Sequence, residues 1–168
     1  MAKGPGRRAP SAAKGDDRKI VAQNRRARHD YDILETVEAG IQLVGSEVKS
    51  LREGHAQLRE AYAREDGGEM WLYGMHVPPW AFAVGFGAHD PERRRRLLLH
   101  KKQIIELSNR VAQDGLTLVP LSVYFRDGKA KISIGLARGR KTYDKRHALA
   151  ERDANREAER AFSDRQRE

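Results

Sequence analysis

Apolar and polar positions begin to alternate after Ile20, and that alternation carries most of the structural signal in the chain. The run YDILETVEAG (31–40) mixes aromatic and β-branched residues and ends at glycine, which predicts a strand; IQLVG (41–45) predicts the next one. Ser46 is placed to cap a short helix, EVKSLREG, that Gly54 terminates, with Val48 and Leu51 on one face and Lys49 and Arg52 on another. Between 56 and 77 two apolar segments flank EDGGE, the composition of a hairpin turn. PPWAFAVGFGA (78–88) is punctuated by Pro and Gly and predicts a loop, with a short edge strand over AFAVGF as the alternative.

Asp90-Pro91-Glu92 has the form of a helix start: a capping carboxylate, a proline at the first position and an acid in the first turn. The clearer helical period comes later. Ile104, Ile105, Ser108, Val111 and Ala112 make one stripe that Gly115 closes, and His100 with Gln103 makes an imperfect capping box. RRRRLLL falls between the two as a break. The strongest hairpin signal is Arg126-Asp127-Gly128-Lys129, flanked by alternating Leu121, Val123 and Phe125 and by Ile132, Ile134 and Leu136. Beyond Gly139 the chain is dense in charge, with Ala150, Ala154, Ala158 and Ala161 at helical spacing. So small a stripe buries little, which predicts a tail that is disordered alone and helical on a partner. Short antiparallel strands with two to three helices predict a mainly β domain over 19–138, a small barrel. A disordered basic segment (1–18) precedes it and a basic tail (139–168) follows.

Charge then narrows the function. Lys and Arg number 33 against 24 Asp and Glu, a net charge of +9 on 168 residues. Such a surplus suits a polyanion, with nucleic acid ahead of an anionic membrane. No apolar run approaches the roughly 18 residues of a membrane span. The first residues lack the apolar stretch of a secretory signal, so a cytoplasmic protein is expected. The chain has no cysteine, which removes disulfides and thiolate metal sites.

GLARGRKTYDKR (135–146) spaces Gly135, Lys141 and Thr142 as a P-loop would, but Arg140 occupies the place of the glycine before the lysine. The six histidines are scattered singly, which gives no metal set, and no nucleophile elbow is present. No catalytic residue, metal or cofactor is expected. Basic clusters are the informative feature: Arg25, Arg26, Arg28, His29 and Tyr31; Arg93 to Arg96; and RGRK with DKR after the last strand. Guanidinium groups bind phosphate in a forked manner, and Tyr and His stack on unpaired bases, which favours RNA.

NRRARHDY (24–31), EAG (38–40), GSEVKSLREG (45–54), DPERRRRLLLH (90–100) and GRKTYDKR (139–146) together resemble the signature blocks of the small protein B family, the SsrA-binding proteins of bacteria. The resemblance implies an OB-like antiparallel barrel with packed helices. It implies an adaptor that binds the tRNA-like domain of transfer-messenger RNA (tmRNA) in trans-translation. It also implies delivery of alanyl-tmRNA, carried by elongation factor Tu, to stalled ribosomes, and a monomer is expected. The tail is then expected in the decoding centre and mRNA channel. Matched positions are Asn24, Arg26, Arg28, His29 and Tyr31; Glu38; Gly45, Glu47, Lys49, Ser50 and Arg52; and Arg94, Arg96, Leu98 and His100, all as RNA-binding candidates. In the tail they are Gly139, Arg140, Lys141, Tyr143, Asp144, Lys145 and Arg146. Position 100 is His where some members carry Asn, and 78–88 is more apolar than the family's loop. The rival function is a ribosome-associated rRNA-binding protein with no part in tmRNA binding.

Overall fold

The structure, a computed structural model, describes residues 18–83, 85–140 and 142–165. Most of the basic segment expected over 1–18, up to residue 17, lies outside the described residues.

Seven strands form one antiparallel sheet that closes on itself. In chain order they are β1 (Lys19–Gln23), β2 (Tyr31–Ile41), β3 (Tyr62–Asp66), β4 (Glu69–Tyr73), β5 (Arg95–Leu98), β6 (Thr117–Arg126) and β7 (Lys129–Gly139). The order β1-β6-β3-β4-β5-β2-β7, with β6 also paired to β7, makes a six-strand ring carrying β1 on its β6 edge. Four helices accompany it: α1 (Ala27–Asp30), α2 (Gly45–Arg52), α3 (Lys101–Asp114) and α4 (Thr142–Arg165). This is the mainly β architecture with helices that the pattern predicts.

Both hairpins form where the turn chemistry places them. Gly67 and Gly68 both have positive φ, which joins β3 to β4 with the twist a two-residue turn requires. The core is filled from several strands and from α2 and α3: Leu51, Met70, Leu72, Val123, Ile132 and Leu136 are fully buried, with Ile104 and Leu107 packed in the same cluster. A smaller cluster, Ala27, Val119 and Ala137, lies under α1 with Tyr31 and Ile33 packed on it.

Four local expectations change. First, β2 runs through Gly40 to Ile41, and 41–45 is not a separate strand. Gly40 serves close approach: a Cβ there would lie 3.1 Å from the Leu98 Cβ on β5. Second, α2 is capped by Glu47, whose Oε2 accepts from the Val44 N–H at 2.9 Å; Ser46 instead bonds the His89 ring at 2.8 Å. Third, Asp90 caps only a turn, accepting from the Glu92 N–H, and RRLL is strand β5. Its alternation is real but concealed, because the buried positions are Arg95 and Leu97. Fourth, α3 buries Ile104 and Leu107, while Ile105 is half exposed and Ala112 faces outward. The apolar loop 78–88 forms no strand among its described residues; Gly85–Gly87 is a 3-10 turn.

Pro120 sits inside β6 at a bulge between Pro120 and Ser122. On that edge β6 pairs with β3 at Leu118 and with β1 from Ser122 onward, so the missing N–H falls at the changeover.

Candidate nucleic-acid interface

Asn24 closes the turn between β1 and α1. Its Nδ2 donates to the carbonyls of Leu58 and Pro120, both at 3.1 Å, and its Oδ1 accepts from the Ala27 N–H. It is buried, as are Glu47 and Ser50. Ser50 donates to the Pro78 carbonyl at 2.8 Å. Glu47 accepts from Arg95 at 2.8 Å and from Arg93 at 2.6 Å. Arg95 in turn donates to the carbonyls of Met75, Arg93 and Pro91. These bonds fasten α2 to β5 and to the segment between β4 and β5. Asn24, Glu47 and Ser50 therefore hold the surface around them in shape through these bonds.

Two signature blocks, EAG (38–40) and DPERRRRLLLH (90–100), meet in one groove of about 720 Å³. Glu38 from β2, Arg96 and Leu98 from β5, and His100 before α3 all line it. They converge because β5 lies beside β2, with Gly40 opposite Leu98 on one side and opposite Lys131 of β7 on the other. Leu98 is half exposed, and Arg96 pairs with Glu69 at 3.1 Å with both side chains open to solvent. Lys101 and Lys131 also line the groove and were missed. Lys101 with Lys102, and Lys131 with Lys129, are short basic pairs outside the three Arg-rich clusters.

Glu38 is held in place from below. Its Oε2 accepts from the Tyr124 hydroxyl and from Arg126 at 3.4 Å. The Tyr124 bond, opposed by burial and aided by Arg126 and Lys131, holds the Glu38 carboxyl below its ordinary value. Burial first, then the bond to Glu38, pushes the Tyr124 hydroxyl up to about 12. Glu38 is thus ionised at neutral pH inside a groove that Arg96, Lys101, Lys131 and a second carboxylate, Glu69, also line.

A second basic surface shares no lining residue with that groove. Arg18, Arg25, Arg28 and Arg152 surround a cavity of about 540 Å³ that Ser122 and Ser133 also line. Arg152 belongs to α4 and donates to the Arg28 carbonyl at 3.3 Å, which sets α4 against α1. His29 bonds its neighbour Asp30 at 2.9 Å. Arg26 and Tyr31 line a smaller slot beside α1.

The remaining candidates lie elsewhere. Lys49 stands over the Trp80 ring at 4.2 Å and Arg52 over Phe125 at 5.9 Å. Gly45 opens α2 with free space around its Cα. Arg94 covers Trp71 at 4.4 Å and pairs with Asp66 at 3.2 Å. In the tail motif, Gly139 pairs with Tyr31 and Arg140 donates its N–H to the Asp30 carbonyl at 3.0 Å. The folded body thus extends through Arg140. Lys141 lies outside the described residues, and Tyr143, Asp144, Lys145 and Arg146 fall in the opening turns of α4. Among the described residues no group of three or more His, Asp or Glu could hold a metal ion. No described helix is long and apolar enough to cross a membrane.

The model of the SmpB protein family matches residues 21–164, from within β1 through all but the last residue of α4. The chain belongs to the SmpB family. It is 57% identical over 143 residues to the SsrA-binding protein of Parafrankia sp. (strain EAN1pec), covering 85% of this chain and 90% of that protein. It is 54% identical over 153 residues to the SsrA-binding protein of Leifsonia xyli subsp. xyli (strain CTCB07), covering 91% and 96%. Among solved structures it resembles, at 50% identity and a TM-score of 0.61, a chain described by the words "tmRNA-SmpB: a journey to the center of the bacterial ribosome". That match covers 72% of this chain and 85% of the other.

Proposed function

We propose that this SmpB protein binds tmRNA through its folded body and brings it to stalled ribosomes in trans-translation. The observation that carries the reading is the groove where Glu38, Arg96, Leu98 and His100, from separate sequence blocks, come together with Lys101 and Lys131. A groove that sets Arg96, Lys101 and Lys131 beside leucines and the carboxylates of Glu38 and Glu69 suits structured RNA, whose phosphates take the cations and whose exposed bases take the rest. The names of the relatives, SsrA-binding protein, support the same partner. The protein works as an adaptor, with no bond made or broken by its own residues.

The tail, from Lys141 onward, extends this role to the ribosome. Its helix is 24 residues long, rich in both charges, and meets α1, where Arg152 donates to the Arg28 carbonyl through an exposed contact. An element docked through such a contact can leave α1 and settle in the RNA-walled decoding centre and mRNA channel. Elongation factor Tu meets the complex through the RNA and not through this chain.

RNA recovered with the tagged protein tests the first part. The expected result is enrichment of tmRNA over fragments of ribosomal RNA. Equal recovery of both supports an rRNA-binding protein instead.

A further inference from the structure

A slot beside α1 lies apart from the groove. It is about 210 Å³, below the roughly 300–1,000 Å³ of a pocket for a drug-sized ligand and suited to a single flat ring system. Its apolar lining includes Ala27 and Val119, both buried, and two tyrosines, Tyr31 and Tyr62, also line it. The polar side holds Arg26 and Arg59 together with Asn24, Asp30, Glu60 and Thr117.

Several features make this a prepared site. Tyr62 is 42% exposed, yet its ring is already ordered by stacking on Tyr73, with centroids 5.4 Å apart and planes 14° apart. Arg64 lies over the same Tyr73 ring at 5.2 Å. Tyr31 is steadied by packing on the small cluster under α1. Asn24 ties α1 to the segment that enters β3, through its bond to the Leu58 carbonyl, so the two sides of the slot are fixed relative to each other. Arg59 pairs with the exposed Glu60 at 3.7 Å, a surface pair that contributes little and leaves its guanidinium open to phosphate; Arg26 pairs with the partly buried Asp30 at 3.3 Å.

We propose that this slot takes one unpaired nucleobase of the RNA that the protein binds, stacked against Tyr62 and Tyr31, with Arg26 and Arg59 on the flanking phosphates. The proposal rests on RNA being the partner. Aromatic rings offer a face to any base, and the cations beside them give the phosphates a place. Tyr62 and Arg59 belong to no signature block, and only the fold brings them to Arg26 and Tyr31.

The full-length protein is titrated with two probes, tmRNA and purified small ribosomal subunits. Tyr62→Leu is expected to weaken binding to one of them by about 5- to 150-fold, the range for loss of one stacked base. Tyr62→Phe is expected to stay within about twofold of the wild type, because the ring and not the hydroxyl stacks. Arg59→Ala, an exposed change that spares the fold, is expected to reduce the salt slope for the same RNA by about 0.7–0.9. The probe affected identifies the RNA that fills the slot. Wild-type binding of both probes by Tyr62→Leu and Arg59→Ala overturns the proposal, as does equal loss in Tyr62→Leu and Tyr62→Phe. If the wild-type protein itself fails to bind tmRNA, the proposed function falls instead, and the ribosomal arm still decides the slot.

Discussion

Glu47 and Arg95 are both fully buried and bonded to each other, which makes them the residues most sensitive to a single change. Removing one partner strands the other charge without water. Glu47→Ala is expected to destabilise the fold by about 3–5 kcal/mol, measured by urea or thermal unfolding. Loss of the exposed Arg96–Glu69 pair should cost no more than about 1 kcal/mol. Burial raises the Glu47 carboxyl, but bonds from Arg93 and the Val44 N–H and the charge of Arg95 outweigh it, leaving its pKa below the ordinary 4.5. A group with a depressed folded pKa contributes its stability above the unfolded value and loses it as pH falls through the folded one. Acid unfolding should therefore begin below about pH 4.5 in the wild type, and this step should be absent in Glu47→Gln. Glu38 offers a local test of the same kind. In Tyr124→Phe its pKa should rise, readable as a higher titration midpoint of the Glu38 carboxyl by NMR, because its largest lowering contact is gone. An unchanged midpoint would mean that Tyr124 does not hold Glu38. At this scale the sequence was an uneven guide. Arg28, Arg96 and His100 read as polar surface and are exposed, whereas Arg95 read as one more member of a basic run and is buried. Nothing in RRRR distinguishes the arginine that finds a carboxylate inside the protein.

Among the elements, turns were more legible than strands. Gly67-Gly68 and Asp127-Gly128 need positive φ, which few residue types supply, so their sequence names their conformation. β5 was not legible, because its alternation uses a buried arginine, and Asp-Pro-Glu just before it carries a helix-start signal. That signal is spent on a turn, since the chain must enter β5 between β2 and β4. Gly74, which follows β4, combines φ +72° with a Cβ position 2.6 Å from the Glu60 carbonyl. Gly74→Ala should cost more than the roughly 1 kcal/mol typical of a strained left-handed position, since backbone would have to move. Gly115→Ala, left-handed but facing open space, should stay near that figure, and paired thermal melts compare them.

At the end of β7 the Arg140 N–H bonds the Asp30 carbonyl, and α4 is set against α1 through Arg152. Truncation after Arg140 is expected to leave tmRNA affinity within about threefold while abolishing peptide tagging on stalled ribosomes, because the groove contains no tail residue. Lost affinity would place the tail in the primary RNA site. Conversely, Arg28→Ala and Arg96→Ala in the body should each lower the salt slope for RNA by about one unit. What the sequence determined by itself was the class of protein and of partner. Its alternation set a mainly β fold, its turn residues set the hairpins, and its charge and signature blocks set RNA and the family, because each of these is written in local order or composition. The tertiary structure alone decided which arginines meet solvent, which candidates are scaffold, and which distant residues share a groove. Those depend on strand neighbours: Lys131 joins Leu98 only across Gly40, and Tyr62 joins Tyr31 only where Asn24 ties two segments. Contacts between residues far apart in sequence follow from how the sheet closes, and no local pattern records that closure.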